Sequence, residues 1–208
     1  MRPAFIFLSC LLCSTAVADI HPVELTCESI VNPLGIDIRQ PALGWKISSG
    51  KRNTFQSAWE VLVADNRADL DRDRGNVWTS GKVPSAETVQ ILYKGDALKP
   101  FTRYYWKVRV YDQSDKISEW SDVAWFETAF LDASDWKATW ISDGSKHPEK
   151  DEDHYKPDRM PLFRREFPTA KTVSSARLYI SGVGYYEAHL HGKTVNDHVL
   201  DPGWTSYR

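Results

Sequence analysis

The sequence predicts an all-β protein made of two β-sandwiches in series, the first complete and the second only begun. Three observations lead there. Short runs alternate apolar and polar residues between turn residues, as half-buried strands do. Beyond the N-terminus no stretch repeats its apolar residues at helical spacing. The runs suffice for one sandwich but not for two.

Residues 1–18 read as a signal peptide. Arg2 supplies the positive start, Ala4–Cys13 a short apolar core, and Ala16-Val17-Ala18 a small-x-small cleavage site. The apolar run is too short to span a bilayer, so no membrane span is expected. The mature chain is expected to begin at Asp19 and to be exported, to the periplasm or beyond the cell. A buried first helix is the competing reading, but nothing caps such a helix.

Cleavage removes Cys10 and Cys13, leaving Cys27 with no internal disulfide partner. Cys27 shares one face of an alternating run with Val23 and Leu25, and is expected as a small buried hydrophobe. The 26 basic and 28 acidic residues give a net charge of −2, which offers nucleic acid or an anionic membrane no attraction. A hydrophobic share of 42% is enough for a packed core and excludes a disordered chain.

Residues 19–130 are expected to form the first sandwich. Candidate strands are Val23–Cys27, Leu43–Ser48, Trp59–Ala64, Val89–Tyr93, Tyr104–Tyr111 and Ala124–Thr128. The strongest is Tyr104–Tyr111, where Tyr104, Trp106, Val108 and Val110 share one face and Tyr105, Lys107, Arg109 and Tyr111 the other. The first set is expected inside, the second on a wetter side. The spacing Leu98-x-Pro100-x-Thr102-x-Tyr104-x-Trp106-x-Val108-x-Val110 resembles the sixth-strand region of fibronectin type III domains. Ser118-Glu119-Trp120-Ser121 resembles the element that opens their last strand. That resemblance implies a fibronectin type III-like sandwich with Trp120 stacked on Lys107 or Arg109, an aromatic cluster that packs rather than binds ligand.

Residues 131–208 are expected to begin a second sandwich. Asp135–Ile141 reads as a junction and a short strand. Ser142–Arg159 is polar, and Glu149, Asp151, Glu152, Asp153 and His154 raise a metal site as one reading. The spacing lacks a calcium loop's alternating ligands and glycine, so a solvated loop is expected and no metal or cofactor. Leu162–Phe167, Ala176–Ser181 and Tyr185–Leu190 read as strands, with His191-Gly192 as a tight hairpin turn before Lys193-Thr194-Val195. A second sandwich needs about eight strands to cover both faces and about five are present, so this part is expected to be truncated, with an open apolar face.

Three ordered stretches carry a more specific resemblance. The first is Leu25-x-Cys27-Glu28, Asn32-Pro33-Leu34-Gly35-Ile36-Asp37 and Pro41-x-Leu43-x-Trp45. The second runs from Val77-Trp78-x-Ser80-Gly81-Lys82 through Arg103–Val110 to Trp120-Ser121 and Trp125-Phe126-Glu127. The third joins Trp140-Ile141, Phe163-Arg164-Arg165-Glu166-Phe167, Gly182-Val183-Gly184-Tyr185-Tyr186-Glu187 and Asp201-Pro202-Gly203-Trp204-Thr205-x-Tyr207. Together they resemble the opening of bacterial α-L-rhamnosidases of glycoside hydrolase family 78. The resemblance implies a sandwich, then a galactose-binding-like jelly roll, then a helical barrel holding the two carboxyl groups of an inverting hydrolase. Nothing here matches that barrel, so no catalytic, cofactor-binding or metal residue is assigned, and carbohydrate is the partner implied through the parent enzyme. Glu187, beside Tyr185 and Tyr186, is the one acid flanked by aromatics on a candidate strand, and is expected on a wet face. Trp136, Tyr155, Tyr185 and Trp204 are the rings that could meet sugar in a stand-alone binding module.

Overall fold

The computed structural model describes residues 18–145, 149–156, 160–195 and 197. The leader expected at 1–18 lies outside the described residues up to position 17, as do residues 146–148, 157–159, 196 and 198–208, Trp204 among them. The chain divides into two compact units between Trp140 and Ile141.

The first unit is an antiparallel β-sandwich. Strands β1 (His21–Cys27), β2 (Ala42–Ser48), β3 (Gln56–Ala64), β4 (Trp78–Thr79), β5 (Val83–Pro84), β6 (Ile91–Leu92), β7 (Arg103–Asp112) and β8 (Ala124–Glu127) follow in order, with a single helical turn α1 (Arg67–Leu70) after β3. One sheet runs β1-β2-β6; the other runs β4-β3-β7-β8, with β5 also on β3. Each expected strand of this unit is present, although Val89–Tyr93 shrinks to β6 and β3 begins earlier, at Gln56.

Alternation decides what goes inside. Tyr104, Trp106, Val108 and Val110 of β7 are buried, facing Leu43, Trp45 and Ile91 of the other sheet within one core. Val61, Val63 and Phe126 join them from the flanking strands. Ring pairs organise the interior: Trp45 meets Trp59 edge-on at 5.9 Å, Trp78 meets Tyr93 at 5.3 Å, and Tyr104 stacks on Phe126 at 5.5 Å. Gly95 is demanded by this packing, since a Cβ there would lie 2.4 Å from the Trp78 Cβ.

Buried polar groups fix the loops. The Tyr104 hydroxyl accepts the Lys99 amide at 2.8 Å, a tyrosine corner that ties the turn before β7 to the strand. Thr128, fully buried, donates to the Lys99 carbonyl at 2.7 Å and accepts from the Thr102 amide at 3.0 Å. Gln56 takes the Trp45 indole N–H at 3.0 Å and donates to the Ser85 and Glu87 carbonyls. The indole N–H groups of Trp59 and Trp106 are buried with no acceptor.

The sheet edges are blunted. Along β8, the Trp125 amide meets the Asn32 side-chain oxygen, and the Pro33–Ile36 segment pairs with Glu127 and Ala129. In β1 a bulge falls between Val23 and Thr26, with Glu24 at φ 49°. Past β8, Phe130 meets Phe101 edge-on at 5.1 Å and Trp136 at a tilt at 4.9 Å. The Asp135 carboxylate accepts the Leu131 and Asp132 amides, so the chain stays tied to the sandwich through Trp136.

The second unit holds a 3-10 turn at Asp151–Tyr155 and a hairpin, β9 (His189–Leu190) with β10 (Lys193–Thr194). His191 and Gly192 both have positive φ, as a two-residue hairpin turn of the expected kind requires. The expected strands Leu162–Phe167 and Ala176–Ser181 do not form, Trp140-Ile141 does not either, and Tyr185–Leu190 is reduced to its last two residues. Alternation makes a strand only when a neighbour takes its hydrogen bonds and a second layer covers its apolar face. Here Leu162 is 93% exposed, and Phe167, Leu178 and Ile180 also lie open.

Two outcomes follow. Tyr104→Phe removes the hydroxyl but leaves the Lys99 amide in place, and is expected to lower unfolding free energy by about 1–2 kcal/mol in a urea titration. Cys27 is buried, and burial with the Glu28 charge beside it pushes its thiol from 9.0 up to about 12. The folded state therefore keeps this proton above pH 9, where the unfolded chain loses it. The stability it contributes is complete below pH 9 and declines as pH rises towards 12. Alkaline unfolding curves of Cys27→Ala should fall less steeply than those of the natural chain, and the native thiol should resist a thiol reagent until denaturant is added.

Candidate functional site

The richest collection of charged and aromatic groups lies on the outer face of the larger sheet. Glu60 and Arg109 sit directly opposite on β3 and β7, and the carboxylate takes the guanidinium at 2.7 and 2.8 Å. Arg109 also lies 4.4 Å from the Trp120 ring centre. Lys107, only 6% exposed, places its ammonium 5.1 Å from the same ring. Trp120 thus interacts with both cations that the sequence offered it. Towards one end Arg103 lies 4.0 Å over Trp125 and pairs with Glu127 at 3.0 Å. Towards the other, Lys82 lies 4.3 Å over Tyr111 and pairs with Asp115.

The burial of Lys107 is what sequence reasoning missed, since the alternation placed it on the wetter side. Leu62, Ala64 and Leu70 form a small second core on this face, with Tyr105, Trp120 and Val123 against it. α1 lies over it, and the Lys107 ammonium donates to the Leu70 carbonyl at 2.6 Å and to Asp73 at 2.5 Å. The signal was legible at Asn66-x-x-Asp69: the Asn66 side chain accepts the Asp69 amide at 2.9 Å and caps the turn. Asn76, and after it Asn66, donates to Asp65, which holds that carboxyl below its usual range.

Chemically this face is closed. Its cations neutralise its carboxylates, and cations cover the rings. Burying Lys107 requires that its charge be met, and Asp73 and a helix-end carbonyl meet it. A groove of about 210 Å³ lies where β1 approaches β8, lined by Pro22, Val23, Leu25, Val31, Val123 and Ala124 with Glu24, Asn32 and Asp122. It falls below the ~300 Å³ at which small-molecule pockets begin. Glu24 is turned to Lys46, and the Asn32 oxygen is used by the Trp125 amide.

In the second unit, Glu187 is exposed, lies outside any strand and pairs with His189 at 3.1 Å. Tyr155 and Tyr185 are exposed, and within the first unit Trp140 is 72% exposed and Trp136 partly so. None of these rings lines the groove between β1 and β8, and Trp204 is outside the described residues. Of the acidic stretch, Asp151–Tyr155 forms the 3-10 turn; among the described residues no three His, Cys, Asp or Glu side chains are placed to hold a metal ion. Asp143 accepts the Ser145 amide and hydroxyl, which lowers its pKa and closes a local turn.

Comparison with known proteins adds what this geometry leaves open. Residues 22–132 match the Rha78A-like, N-terminal immunoglobulin domain, and residues 171–208 match the alpha-L-rhamnosidase N-terminal domain. An alpha-L-rhamnosidase of Formosa agariphila is 38% identical over 203 residues, which is 91% of this chain and 21% of that protein. Another from Streptomyces avermitilis is 37% identical, over 81% of this chain and 18% of its own length. Among solved structures, the alpha-L-rhamnosidase of Dictyoglumus thermophilum superposes with a TM-score of 0.58 at 39% identity, over 62% of this chain and 14% of that one. The Streptomyces avermitilis enzyme, solved with L-rhamnose, gives 0.56 at 42% identity, over 59% and 12%. The chain therefore spans about a fifth of the length of the curated relatives it matches. On that sandwich and those matches, the chain belongs to the Rha78A-like α-L-rhamnosidase family, with the family's N-terminal immunoglobulin domain at residues 22–132.

Proposed function

We propose that this chain is the N-terminal accessory segment of an exported α-L-rhamnosidase, a hydrolase of terminal α-L-rhamnosyl groups on plant glycosides and polysaccharides, and that by itself it catalyses nothing. The observation that carries the reading is the extent of the match: 91% and 81% of the chain align with 21% and 18% of two relatives, and the matching family models are N-terminal domains. The chemistry of the sandwich supports it. Inverting hydrolysis needs two carboxyl groups ~6.5–9.5 Å apart, one protonated and one free, with a water between them. The shielded carboxylates Glu60 and Glu127 are each paired with an arginine on the sheet, at 2.7 and 3.0 Å, so both are already engaged within the domain. Carbohydrate is then a partner of the parent enzyme, met in the periplasm or outside the cell.

A stand-alone carbohydrate-binding module is the competing reading, and the exposed Trp140, Tyr155 and Tyr185 are what favour it. The sandwich counts against it, because Trp120, Trp125 and Tyr111 already have cations over them.

The purified chain should release no nitrophenol from p-nitrophenyl α-L-rhamnoside above the no-protein rate. Turnover that survives repurification would overturn the accessory role. Titration with L-rhamnose and a rhamnosylated flavonoid is expected to leave tryptophan fluorescence unchanged, and saturable quenching would favour the binding module instead.

A further inference from the structure

The start of the sandwich points to where its leader is removed. Ala18 is 3% exposed, and its amide donates to the Ile117 carbonyl at 2.9 Å. Ile117 itself bridges to Tyr111 at the end of β7, so this bond attaches the incoming chain to the larger sheet. One residue on, the Asp19 carbonyl accepts the Ser49 hydroxyl at 2.6 Å, just past β2 of the smaller sheet. Lys51 lies 3.6 Å from the Asp19 carboxylate, and Ile20 is fully buried in the core. Residues 18–20 therefore stitch the two sheets together at one end of the sandwich.

Two cuts satisfy the demand of a signal peptidase for small residues one and three positions before the scissile bond. Ser14 and Ala16 permit a cut after Ala16; Ala16 and Ala18 permit one after Ala18. The fold separates them. A cut after Ala18 leaves the Ile117 carbonyl without its donor and puts a charged ammonium on Asp19, next to fully buried Ile20. A cut after Ala16 leaves every bond of the stitch in place. Among the described residues no disulfide makes good the loss, Cys27 being a free buried thiol. We infer that the leader is removed after Ala16, so that the mature protein begins at Val17 and keeps Ala18 as part of its fold. The inference rests on the exported reading proposed above.

The test is to express the full chain with its own leader in an exporting bacterial host and read the N-terminus of the exported protein by intact mass. A chain beginning at Val17 is expected. A chain beginning at Asp19 overturns the cut and leaves export standing, whereas one beginning at Met1 removes the exported reading itself. Alongside it, chains starting at Val17 and at Asp19 are compared by urea unfolding followed through tryptophan fluorescence. The longer is expected to have a roughly fivefold larger folding constant, the size of one hydrogen bond. Equal constants would overturn the structural premise.

Discussion

The sandwich depends on burying the inward face of β7. Tyr104, Trp106, Val108 and Val110 lie at the centre of the larger sheet, and all four are closed off from water. β7 has β3 along one side and β8 along the other, so its backbone is paired on both edges while its side chains fill the core. Full burial of one such aliphatic or aromatic side chain contributes about 1.5–3 kcal/mol, so a four-residue face outweighs any single surface interaction in the molecule. The loops answer to this strand as well. Tyr104 ties down the turn at Lys99, and Thr128 holds that turn from the far side.

Because β7 is central, its other face must also be accommodated. Lys107 and Arg109 project there, and the fold does not leave them to solvent. Trp120 lies beside both, Glu60 and Asp73 neutralise them, and α1 closes over Lys107. The resulting surface looks like a binding site by composition and is the reverse by geometry. Its charges are spent on each other and its rings are covered. A face arranged in this way stabilises the domain, its carboxylates paired with its cations and its rings covered by them.

How much of this could be read beforehand depended on the length of each element. β7 was legible because Tyr104–Tyr111 holds period-two alternation over eight residues, long enough to mark a strand. That Trp120 would meet Lys107 or Arg109 followed from the likeness of the Ser-Glu-Trp-Ser run to the element opening the last strand of fibronectin type III domains, and the structure puts it beside both. β4 and β5 are two residues each, below any periodic signal, and they exist because β3 offers them an edge. α1 is four residues held by the Asn66 cap, and with it unseen Lys107 had to be placed in water. The opposite error came in the second unit. Ala176, Leu178 and Ile180 alternate as well as many true strands do, yet alternation is only an offer of a face and an edge, and neither is taken up there. His191-Gly192 succeeded where those runs failed because a two-residue turn is encoded locally.

The two parts of the chain differ in what they bury: strands β1 to β8 enclose a shared core, whereas Leu162, Phe167, Leu178 and Ile180 lie open. Amide hydrogen exchange on the whole chain measures this division directly. Val61, Val63, Trp106 and Val108 are expected to exchange only through global unfolding, while Leu178 and Ile180 exchange at the rate of an unstructured peptide. Comparable protection in both segments would contradict it.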